Sequence, residues 1–124
     1  MRITVEKRRT WVPDFEENMA LPEDERIRIS FDKPRAYRRR EWQKVVGTRN
    51  GDGEVSSYVD TDLRRVILDS DVRVENLTIV EDGQERAITD GKALLEARSD
   101  VCTYLVTNLA AEILRQDYLS ELPS

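Results

Sequence analysis

The sequence predicts an α+β fold in which a small, mostly antiparallel sheet packs against a C-terminal amphipathic helix. Three observations lead there. Ile27, Ile29 and Phe31 alternate strictly with Arg26, Arg28 and Ser30, the period of a strand with one buried face. A second apolar run, Leu77, Ile79 and Val80, leads into a tight turn at Glu81, Asp82 and Gly83. From Val101 onward, Cys102, Leu105, Val106, Leu109 and Ile113 recur at helical spacing and form one wide stripe.

Taken in order, Ile3 and Val5 alternate with polar neighbours and predict a short edge strand over 2–6. Residues 14–25 hold six acids and few apolar anchors and read as a mobile acidic loop pinned by Phe15, Met19 or Leu21. After the strand at 26–31, Asp32 is placed to cap a helix with Pro34 in its first turn, running to Val46 and stopping at Gly47. Trp42, Val45 and Val46 cluster on it, but its amphipathicity is poor, and a strand-like or broken conformation over part of 35–46 is the alternative. Asn50, Gly51, Asp52 and Gly53 form a turn rather than a calcium loop, because the alternating oxygen ligands and closing glutamate of an EF-hand are missing. Thr61 is expected to cap a short helix carrying Leu63, Val66 and Ile67 on one face. Val72, Val74, Leu77 and Ile79 continue as strand with a phase slip at Glu75 and Asn76 that signals a bulge or break. Thr89 starts the next helix, and Ser99 or Asp100 begins the last. The sheet is thus expected from residues near 2–6, 26–31 and 72–80, within one domain spanning 1–124.

Composition removes much of catalysis. The chain has no histidine, so the usual general base near neutral pH and the commonest metal ligand are both missing. Its single cysteine, Cys102, sits between apolar helical neighbours and reads as a buried thiol; it can form neither an internal disulfide nor a thiolate metal cluster. The carboxylate pairs Asp60 with Asp62 and Asp69 with Asp71 are separated by Thr or Ser, the chemistry of caps and turns rather than of metal or acid–base sites. No phosphate-binding glycine loop or nucleophile elbow occurs. No catalytic residue, metal or cofactor is expected. Nothing reads as an export signal or a membrane span, and the expected location is the cytoplasm.

The charge is lopsided. Residues 1–50 carry 13 basic and 9 acidic side chains, a net of +4, while 51–124 carry 7 and 16, a net of −9. The basic segment 33–49, with Arg35, Arg38, Arg39, Arg40 and Lys44 beside Tyr37 and Trp42, is the candidate nucleic-acid surface. The acidic total and the acidic loop upstream oppose that reading, and a solvated face or a protein interface is favoured. A hydrophobic fraction of 39% against 36% charged implies a thin core with extended, solvated loops or a surface completed by a partner. The candidate protein-binding residues are Val101, Leu105, Leu109 and Ile113 on the last helix, together with Trp42; the same stripe read blandly is core.

The N-terminal Met1-Arg-Ile-Thr-Val-Glu-Lys, the Ile27-x-Ile-x-Phe-x-Lys-Pro34 strand running into a charged Arg/Glu helix, and Val74-x-Asn-Leu-Thr-Ile with its Asp82-Gly83 turn, helix cap and closing amphipathic helix together resemble small tailed-phage virion and tail-assembly proteins, particularly tail assembly chaperones. The resemblance implies a non-enzymatic protein of the host-cell cytoplasm or the virion, self-associating and bound to other tail proteins such as tape-measure or tail-tube subunits. The chain departs from the pattern at Leu122, Pro123 and Ser124, without the long acidic or lysine-rich extension of some members.

Overall fold

A computed structural model describes residues 1–2, 6–49, 51, 53 and 55–116. Its centre is a three-stranded antiparallel sheet of β1 (Arg8–Trp11), β2 (Arg28–Asp32) and β5 (Arg73–Glu75), with β2 in the middle. Trp11 pairs with Ile29, and Ile29 with Val74. The alternation read in the sequence is realised: Ile27, Ile29 and Phe31 are buried while Arg28 and Ser30 are half-exposed. Two hairpins flank the sheet, β3 (Gln43–Arg49) with β4 (Val55–Thr61) and β6 (Thr78–Glu81) with β7 (Gln84–Ala87). Helices α1 (Glu16–Met19), α2 (Ala36–Trp42), α3 (Leu63–Asp69), α4 (Gly91–Glu96) and α5 (Asp100–Arg115) complete an α+β fold. Leu105, Leu109 and Ile113 of α5 join Phe31, Val66, Val74 and Leu94 in one core.

Several expectations need correction. Ile3 and Val5 of the strand expected over 2–6 lie outside the described residues, and the first described strand is β1. The helix expected from Pro34 to Val46 is confined to Ala36–Trp42, and the chain then turns into β3, the strand-like alternative for part of 35–46. Trp42 is the buried residue of that helix, whereas the β-branched Val45 and Val46 lie opposite residues 59 and 58 in the β3–β4 register. Asp32 therefore caps nothing; its carboxylate accepts from Arg8 at 2.9 Å. Of the turn expected at 50–53, Asn50 and Asp52 lie outside the described residues.

The acidic stretch is organised by Asn18 rather than by Met19 or Leu21, both exposed. The fully buried Asn18 amide donates to the Pro13 carbonyl at 2.7 Å and accepts from the Ile27 N–H at 2.8 Å, tying α1 to the start of β2. The expected break near Asn76 is real. Asn76 takes φ 64°, and its side chain donates to the carbonyls of Asp24 and Arg26, which separates β5 from β6. Asp82 (φ 51°) and Gly83 (φ 77°) form the two-residue turn of the β6–β7 hairpin, both in the left-handed conformation such a turn requires. The caps fall one residue after the expected threonines: Asp62 accepts from the Arg65 N–H and Asp90 from the Ala93 N–H.

Candidate functional site

The residues expected to bind a partner separate into two groups. Leu105, Leu109 and Ile113 are 0% exposed and Trp42 1%, so these four belong to the core and offer nothing to a docking protein. Val101, on the first turn of α5, is 45% exposed. It joins two grooves: one of about 250 Å³ with Phe15 and Tyr104, the other of about 260 Å³ beside Leu77, Val80 and Arg98. The Phe15 and Tyr104 rings meet edge to face at 5.7 Å, which fixes the first groove's wall.

The rest of the outer face of α5 continues this surface. Between Asp100 and Glu112 the helix carries no charged residue, in a chain of which 36% is charged. Its outward residues there are Val101, Thr103, Tyr104, Thr107 and Ala111, with Asn108 half-buried. Three of the polar side chains among them donate back into their own helix. Thr103 donates to the Ser99 carbonyl at 3.1 Å, Thr107 to the Thr103 carbonyl at 3.1 Å, and Asn108 to the Tyr104 carbonyl at 2.8 Å. Their donor groups can therefore leave water without losing a hydrogen bond. No sign of this was available in the apolar stripe itself; the signal was the missing charge on the opposite face.

A second exposed apolar surface sits on the β3–β4 hairpin. Val45 and Val59, 75% and 61% exposed, face each other across the two strands. A two-stranded sheet buries little on its own.

The basic segment is dispersed by the fold. Arg38 Nη1 donates to Glu41 Oε2 at 3.0 Å and its guanidinium lies 5.5 Å from the Tyr37 ring centre; the hydrogen bond to Glu41 raises its pKa. Arg39 donates to the Leu114 carbonyl. Arg35, Arg40 and Lys44 are exposed, Lys44 beyond the helix on β3 and opposite Asp60. Of the five, Arg35 and Arg38 line one cleft, whereas Lys44 stands on β3.

The carboxylates paired in sequence serve separate structural tasks. Asp62 caps α3, Asp69 accepts from the Trp42 indole at 2.8 Å, and Asp71 accepts from Arg8 at 2.9 Å. Among the described residues no three His, Cys, Asp or Glu side chains gather as a metal site requires. Cys102 is fully buried, and that burial raises its thiol pKa, opposed by a hydrogen bond with Ser99. No described helix is long and apolar enough to cross a membrane. No protein-family model, curated protein or solved structure matches the chain.

Proposed function

We propose that the protein is a non-enzymatic assembly factor of a phage or prophage tail, holding a helical segment of another tail protein against the uncharged outer face of α5. The observation that carries this reading is the outward face between Val101 and Ala111, exposed yet free of charge and with Thr103, Thr107 and Asn108 donating to carbonyls of their own helix. Solvated helix faces in so charged a chain carry Lys, Arg, Asp or Glu; a face without them is suited to removal from water. Thr103, Thr107 and Ala111 recur at intervals of four and keep the surface low enough for a second helix to approach closely. The sequence resemblance supplies the class of partner, tape-measure or tail-tube subunits. The nucleic-acid reading is weaker, because Arg38 and Arg39 are spent on contacts within the chain.

The test is co-expression with the products of the neighbouring genes. Neighbours encoding tape-measure and tail-tube proteins, one of which forms a stable complex with this chain, support the reading. Neighbours encoding a repressor or recombination functions, or tail proteins that do not bind, count against it. Self-association through the same face, in place of a hetero-complex, would overturn the choice of partner.

A further inference from the structure

A cleft of about 240 Å³ opens where the end of β2 and the start of α2 meet the C-terminal end of α3. Four cations line it, Lys7, Lys33, Arg35 and Arg38, with the acids Asp32 and Asp69. Both acids are already engaged. Asp32 accepts from Arg8, which enters from β1, and Asp69 accepts from the Trp42 indole while lying 3.7 Å from Arg65. Arg38 is held by Glu41. Lys7, Lys33 and Arg35 have no acidic partner among the described residues, although acids outnumber bases by 25 to 20 in the whole chain. Positive charge is therefore left uncompensated at one built place. The walls are fixed by backbone: the Lys33 N–H donates to the Lys7 carbonyl at 2.8 Å, and the Asp32 N–H to the Ser70 carbonyl at 2.8 Å.

We propose that this cleft binds the carboxylates of an acidic segment of another protein chain, with Lys7, Lys33 and Arg35 pairing the acids and the Tyr37 ring and Pro34 covering the aliphatic part of the side chains. The space admits one or two side chains. A nucleic-acid strand needs a row of phosphate contacts, and the net charge of −5 repels a long polyanion. An isolated carboxylate pair meets only the local charge. The inference does not rest on the α5 face, and Val101→Asp leaves the cleft untouched.

The indole of Trp42 lines the cleft whereas Trp11 does not, so the two tryptophan side-chain N–H signals separate local binding from general attraction. The full chain is titrated with hexaglutamate and, separately, with hexathymidylate, while both signals are followed by NMR. The expected result is a saturable shift of the Trp42 signal with hexaglutamate and none at Trp11. Lys33→Gln with Arg35→Gln, and independently Lys7→Gln, should each weaken the peptide at least about fivefold, the scale of one lost ion pair. Arg64→Gln, exposed and outside the cleft, should change it by less than about twofold. A silent Trp42, an affinity indifferent to all three cleft cations, or tighter binding of hexathymidylate than of the peptide would overturn the proposal.

Discussion

Trp42 and Asp69 lie 27 residues apart and are joined by a 2.8 Å hydrogen bond from the indole Nε1 to the carboxylate Oδ2. The bond ties the last residue of α2 to the last residue of α3, and Asp69 in turn gathers Arg65 and Arg38 within 3.8 Å. Because the indole is fully buried, removing its donor leaves a partly buried carboxylate one bond short. Trp42→Phe should lower stability to urea by about 2–3 kcal/mol, part from the bond to a charged group and part from lost volume. A loss under about 0.5 kcal/mol would mean that the bond contributes nothing net.

Leu105→Asp and Val101→Asp share a helix and should part company completely. Leu105 has no exposed surface, and an unpaired carboxylate there should cost more than about 4 kcal/mol and unfold the chain. Val101→Asp should stay within about 0.5 kcal/mol of wild type, its side chain being free to remain in water. Circular dichroism melts of the two variants check both.

Gly91→Ala should destabilise, against the usual gain from replacing glycine near a helix start. A Cβ at residue 91 would lie 2.8 Å from Ile67 Cγ2 and 3.1 Å from Val72 Cβ, inside a packed junction of α3 and α4. Overpacking of this kind costs about 1–3 kcal/mol, read as a lower urea midpoint.

Cys102 makes the stability fall in alkali. Its thiol pKa is raised by burial, so above about pH 8.5 the unfolded thiol ionises while the folded one keeps its proton. The contribution is fully present below that pH and is lost as pH climbs toward the folded value, at no more than about 1.4 kcal/mol per pH unit. Cys102→Ala should cost about 1–2 kcal/mol at neutral pH and flatten this slope. In native wild type the thiol should resist modification until the chain unfolds; rapid labelling would misplace this face of α5.

Much of the framework was legible because its signals are local. Strict alternation marked β2, the Asp82-Gly83 pair marked a hairpin turn, and the period of the apolar stripe marked α5. The β3 strand was legible only as the alternative to a helix, because Trp42, Val45 and Val46 satisfy helical spacing as well as strand propensity, and the choice between them depends on the pairing with β4 across the turn. An apolar stripe at helical spacing is the same pattern whether a core or a partner covers it. Leu105, Leu109 and Ile113 were apolar because they are core, while the exposed face declared itself through the charges it lacks. The cleft escaped notice for another reason. Lys7 and Lys33 come together only through the register of β1 on β2, which no single segment encodes.

Charge placed on the uncharged outer face of α5, with complex formation measured, decides whether the proposed partner docks there. Thr107→Glu and Ala111→Lys alter exposed residues in the middle of the face and leave the core alone. With the proposed tail-protein partner, wild type should form a stable complex by isothermal titration calorimetry, and each variant should melt with wild type yet bind at least about tenfold more weakly, the cost of desolvating an unpaired charge. Undiminished binding by two well-folded variants would contradict the account and move the docking surface elsewhere on the molecule.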